Sequence, residues 1–144
     1  MKGSTHLAGG LLAGALIGTN PVGLAVSGLA SLAPDWIQIN IPGANQVVKG
    51  ATGHRGLSHW GITAGLVWMI VSLAGQDHLA AFATAGWLSH ILLDTVSGGT
   101  PAFWPVARRV TLARIKTGST LDTLTGAGLL VLCVLVIVAK LGGF

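Results

Sequence analysis

"LDTLTGAGLLVLCVLVIVAKL", residues 121–141, holds one acid near its start, one lysine near its end and no other charge. An α-helix rises about 1.5 Å per residue, so about 20 apolar residues cross a hydrocarbon core roughly 30 Å thick. This run is long enough to do so. Towards the N-terminus the apolar runs 78–97 and 57–75 have similar length, whereas 21–33 and 5–19 are short. Between the two short runs, "GTNPVG" at 18–23 sets Asn, Pro and Gly together, a turn signal. The pair reads as a helical hairpin that either just spans or is re-entrant, and in both cases the chain returns to the side it left. The expected fold is all-α: a polytopic integral membrane helical bundle of about five helices, a short N-terminal hairpin plus three longer spans, in one domain over 1–144.

Composition points the same way. Only 8% of residues are charged, 51% are hydrophobic and the mean hydropathy is +0.74, whereas an ordinary soluble domain is about a quarter charged. The pI near 10 rests on eight basic residues and a net charge of +4. These are too few and too dispersed to track phosphates, so direct nucleic-acid binding is not expected. With the N-terminus inside, Lys2, Lys49, Arg55, Arg108, Arg109, Arg114 and Lys116 all fall on one face and only Lys140 on the other. By the positive-inside rule that face is cytoplasmic. The opening "MKGSTHLAGGLLAGALIG" reads as the first helix and not as a cleaved signal, because the apolar pattern resumes directly after Asn20-Pro21.

Trp60, Phe103 and Trp104, with Trp36, fall near the inner boundary, where aromatic rings favour the headgroup level; Trp68 and Trp87 lie deeper and read as packing residues. "GGLLAGALIG" at 9–18 and "GLAVSGLAS" at 23–31 place small residues four apart, the pattern of close helix packing. The single cysteine, Cys133, sits in an apolar run and implies no disulfide framework.

In so apolar a chain the ionisable groups stand out. Of five histidines and four aspartates, His6, Asp35, His54, His59, His90, Asp94 and Asp122 fall on the same inner boundary. Asp77 and His78 lie in the opposite turn, where Asp77 is expected to cap a helix. His90 and Asp94 are four apart and share a helix face. Carrying an ionised Asp into a membrane helix costs at least ~2.5 kcal/mol. One account is a metal-free pairing, Asp94 with Arg55 or Arg108 and His90 with an internal acceptor. The other is a metal site, since neutral His and ionised Asp suit divalent ions. In "GHRGLSHW" at 53–60 a glycine permits a turn, and Ser58 is expected to cap a helix beginning near His59, so that His54 and His59 meet at one centre.

"APDW", "GHRGLSHW", "GWLSHILLDTVSGGTPAFWPVARR" and "KTGSTLD", in this order, resemble the YdjM-like family of the bacterial inner membrane, predicted metal-dependent hydrolases also described as LexA-binding. The resemblance covers about residues 1–125 and implies roles for His6, Asp35, His54, Arg55, His59, His90, Asp94 and Asp122. Two departures stand out. Ile37 replaces the second acid of the family's Pro-Asp-x-Asp, with the neutral donors Gln38 and Asn40 nearby, and Asp122 stands where glutamate is usual.

The expected function is hydrolysis at the cytoplasmic headgroup level, assisted by one or two divalent ions, zinc first among them. His54, His59, His90, Asp94, Asp35 and His6 are the candidate ligands. Asp35 or Asp122 would serve as general base or orient a ligand histidine. Arg55 would clamp a phosphate, with Arg108 and Arg109 drawing anionic headgroups. A phosphoester of a lipid or lipid-linked compound fits this placement. The alternative is a non-catalytic membrane protein whose metal or ion-pair site organises a docking face for a cytosolic protein partner. A proton or metal carrier is disfavoured, because no line of ionisable groups crosses the membrane.

Overall fold

The computed structural model describes residues 1–37, 56–99 and 111–143. Among them the regular structure is entirely helical: α1 Gly3–Ile17, α2 Pro21–Ala30, the single turn α3 Ala33–Trp36, a 3-10 turn Leu57–His59, α4 Gly61–Leu73, α5 Asp77–Ser97 and α6 Thr120–Leu141. Gln38, Asn40, Lys49, His54, Arg55, Phe103, Trp104, Arg108 and Arg109 lie outside the described residues.

Local chemistry accounts for the boundaries. Asn20 Oδ1 accepts from the backbone N–H groups of Val22 and Gly23 at 2.9 and 3.2 Å, with Pro21 opening α2. Ser119 Oγ accepts from Asp122 N at 3.2 Å at the head of α6. Two expected caps differ. Asp77 is the first residue of α5, with Gln76 in the cap position, so it complements the helix dipole without capping. Ser58 does not cap α4 either; Trp60 occupies that position in extended conformation and the helix starts at Gly61.

That break shortens α4 to 13 residues, about 20 Å, less than the run 57–75 suggested. Among the described residues, two helices therefore have the length and apolarity to cross a membrane, α5 with 21 residues and α6 with 22.

Small residues bring α1, α2 and α5 into close contact. Gly10 and Gly14 of α1 face Ser31 and Ser27 of α2, and Ser27 Oγ donates to the Gly10 carbonyl at 2.7 Å. Along α2 and α5, Gly23 meets Phe82, Ser27 meets Gly86 and Ser31 meets His90, so these two helices run parallel in matched four-residue steps. A side chain on Gly86 would run into the Ser27 backbone carbonyl, which is why glycine is needed there. On the other side of α5, Ala64, Trp87 and Ile91 form a buried apolar cluster with Ala33 and Val67 against it. Trp87 is a packing residue as expected, but Trp68 is 48% exposed, because α4 packs chiefly on α5 and leaves its outer face uncovered.

α6 lies parallel to α1. Lys2 and Thr5 bond to Asp122 at one end, and Lys140 Nζ donates to the Leu16 carbonyl at 2.7 Å at the other. Only 11% of the most apolar stretch of α6 is buried in the protein. So apolar a helix, so little covered, matches a lipid surround. Lys140 supplies a charged donor to a carbonyl in the last turn of α1, where carbonyls run out of intrahelical partners. Replacing it by methionine is expected to cost about 1 kcal/mol, a fall of roughly 3 °C in the melting midpoint in detergent.

Candidate metal centre

α3, the 3-10 turn and α5 bring four ligand atoms together. Asp35 comes from α3, His59 closes the 3-10 turn, and His90 and Asp94 stand one turn apart on α5. His59 Nε2 lies 3.1 Å from His90 Nε2, 3.5 Å from Asp35 Oδ1 and 3.5 Å from Asp94 Oδ2. His90 Nε2 lies 3.6 Å from Asp35 Oδ1 and 3.9 Å from Asp94 Oδ2. All four atoms fall within 4.8 Å of one another.

The histidine rings are held from behind. His90 Nδ1 is 2.7 Å from the Ser31 carbonyl, which only accepts, so Nδ1 carries the hydrogen and neutral His90 turns the Nε2 lone pair towards the cluster. His59 Nδ1 is held by Ser58 Oγ at 3.0 Å. Trp87 Nε1 donates to the Ser58 carbonyl at 3.0 Å and fixes the turn that carries both residues. Neither Ser31 nor Ser58 stands out in sequence as part of a site; the serine spacing in "GLAVSGLAS" was the only signal for the first.

These donors fit a divalent ion. Bonds of about 2.0–2.2 Å to nitrogen and oxygen in a tetrahedron give ligand–ligand edges of roughly 3.3–3.6 Å. The five edges above, 3.1 to 3.9 Å, bracket that range. Two carboxylates and two neutral imidazoles also sum to the charge a divalent ion cancels, which a site with His59, His90 and Asp94 buried requires. Asp35 is the open edge: its side chain is 33% exposed, against 0% for both histidines and 3% for Asp94.

Outside the α5 helix the pKa values respond to this crowding. Burial pushes the Asp35 carboxyl up, but the His59 hydrogen bond and the fields of His90 and His6 overcome it and hold it below the usual carboxylate range. Burial pulls His59 down, yet Asp35 and Asp94 outweigh it and carry its pKa above the ordinary value. A proton thus holds His59 more firmly than free imidazole, and an ion must displace it. Metal affinity is expected to fall about tenfold per unit as pH drops through that raised pKa, which lies above about 6.5, and to level off on the alkaline side. Competition with a chromophoric chelator measures this; a flat profile would exclude neutral-histidine ligation.

His6 and Asp122 take other positions. The His6 ring stacks on His90 with centroids 3.9 Å apart, and its Nε2 is 3.3 Å from Asp94 Oδ1. That contact lacks hydrogen-bond alignment, and neither His6 ring nitrogen has a hydrogen-bond partner among the described residues. The Met1 amino group is 3.4 Å from the same Asp94 oxygen. Asp94 therefore offers Oδ2 to the four-atom cluster and Oδ1 to the head of α1. Buried Asp122 instead accepts from Lys2 N at 3.0 Å, Gly118 N at 2.8 Å and Thr5 Oγ1 at 2.8 Å, tying α1 to α6. It makes no bond to His59 or His90 among the described residues. Asp122→Ala would strand these donors and is expected to cost about 3 kcal/mol, read as a loss of roughly 10 °C in melting midpoint.

Fold and site together define a helical membrane protein with a two-histidine, two-aspartate cluster at one end of its bundle. The family model described as YdjM inner membrane protein matches residues 1–143, and the chain belongs to that family. Comparison with curated proteins and with solved structures gives no match.

Proposed function

We propose that this protein is a multi-pass inner-membrane hydrolase that uses zinc, at the cytoplasmic headgroup level, on a phosphoester of a lipid or lipid-linked substrate. The observation that carries this reading is the convergent set of Asp35, His59, His90 and Asp94, whose ligand atoms all lie within 4.8 Å of one another. Its Nδ1-anchored rings are pre-aimed and its charge is matched to a divalent ion. Bound there, the ion supplies Lewis acidity that brings the ionisation of water towards about pH 7. Asp35, at the open edge, turns Oδ1 to the histidines, and its other oxygen is assigned the role of proton acceptor. Arg55, outside the described residues, is the proposed phosphate clamp. His6, 3.3 Å from Asp94 Oδ1, would help hold a second ion if one is bound.

The multi-pass topology with the N-terminus inside draws on the one-sided basic residues and on α1 lying along α6 from Lys2 to Leu16. The competing reading is a metal-organised docking face for a cytosolic partner. It is favoured by Ile37, which replaces a carboxylate just past α3 and is 49% exposed. Metal analysis of the detergent-purified protein, followed by a panel of phospholipids and lipid phosphates, separates the two. The hydrolase reading expects stoichiometric zinc and phosphate release lost in Asp35→Asn. Zinc without turnover favours docking, and absence of stoichiometric metal refutes the hydrolase reading and leaves a docking face organised by ion pairs.

A further inference from the structure

The α1–α6 face carries a groove that none of the site chemistry uses. At its head, Lys2, Ser4 and Thr123 surround a cleft of about 220 Å³ that continues over Ala127 to Leu130. Leu130 also begins a second hollow of about 260 Å³ along α6, lined only by apolar side chains and running through Val131 and Val134 to Leu135. The two hollows meet at Leu130: the first lies between α1 and α6 and is polar at the bundle end, and the second is an apolar depression on α6 alone. Gly126 packs on Thr5 and so lets α1 and α6 approach closely beside the cleft.

Length and charge say what fits. From Thr123 to Leu135 the helix rises about 18 Å, close to half of a hydrocarbon core roughly 30 Å thick, the depth of one leaflet. At the polar end the Lys2 ammonium is exposed and bonds to the neutral Thr123 hydroxyl at 3.2 Å, with no carboxylate paired to it among the described residues. The exposed hydroxyl of Ser4 lines the same cleft. A cation and two hydroxyls above an apolar helix face one leaflet deep match a phosphate headgroup above an acyl chain.

We propose that the α1–α6 groove holds one anionic phospholipid, with its phosphate at Lys2, Ser4 and Thr123 and an acyl chain against Leu130 and Val134. The site needs α6 to lie in a bilayer but is independent of the metal centre, so its failure and that of the hydrolase reading are separate results. The bound lipid would cover the face of α6 that the protein leaves bare.

Native mass spectrometry of the whole detergent-purified chain, offered phosphatidylglycerol and phosphatidylcholine with identical acyl chains, tests this. The wild type is expected to retain one phosphatidylglycerol about fivefold in preference to phosphatidylcholine, the worth of one lysine at an anionic headgroup. Lys2→Gln should erase the preference, and Ala127→Trp, which fills the groove from an exposed position, should lower retention of both lipids. Inorganic phosphate should not displace the lipid, since it lacks the chain. Equal retention of the two lipids by the wild type, which needs no variant, overturns the proposal. So does displacement by phosphate, which would leave a plain anion site. A change of oligomeric state in Ala127→Trp in place of lipid loss would also overturn it and make this face a contact between copies.

Discussion

His90→Ala is expected to abolish binding of the proposed divalent ion by the purified protein. Removing an outer partner of a metal-binding histidine typically costs 10–100-fold in affinity, so removing the histidine should cost more than about a hundredfold. Its Nε2 shares edges with His59, Asp35 and Asp94, so no single neighbour can close the gap it leaves. Asp94→Asn, nearly the same shape, should weaken binding comparably because the site loses one of its two charges. Inductively coupled plasma mass spectrometry after desalting reads both. If either variant keeps stoichiometric metal, the ion sits elsewhere and the cluster is a pairing network.

Gly86→Val is the second large effect, and it acts on the same site from one turn away. The new side chain would meet the carbonyl, carbonyl carbon and Cα of Ser27, and backbone does not give way as a flexible side chain does. α2 and α5 must separate, at a cost of about 3 kcal/mol, seen as a drop of roughly 10 °C in melting midpoint. Separation also pulls the Ser31 carbonyl from His90 Nδ1, so metal affinity should fall about 10- to 100-fold. Gly128→Ala is the control. Its added methyl meets no neighbour, and the helix gains up to ~1 kcal/mol from losing a glycine. Equal melting of the two variants would mean that the α2–α5 contact does not set the stability.

Much of the centre is legible in the chain because each ligand is an isolated polar residue in an apolar run. His90 and Asp94 declare a common face by their spacing, and His59 and Asp35 fall at the same predicted boundary. His6 is legible as a member of that boundary but not as a ring stacked on His90, since the stack depends on how α1 crosses α5. Asp122 is harder. Its type and position suggest a catalytic acid, while its three donors come from Lys2, Thr5 and Gly118, a set that exists only once α1 docks on α6. The helix expected to begin near His59 starts instead at Gly61, because Trp60 turns extended and lets Leu57–His59 reach the cluster.

Composition and hydropathy by themselves determined that the chain is helical, that it belongs with a membrane, and which side chains were out of place there; these are local properties of 20-residue runs and need no partner. Tertiary structure decided which out-of-place groups meet and how they are aimed. The ring of His90 is oriented by a carbonyl 59 positions away, and that carbonyl is delivered by Gly10, Gly14 and Gly86 letting three helices approach. A backbone carbonyl has no residue type, so no sequence pattern announces it, and it takes its place only through the packing of α1, α2 and α5.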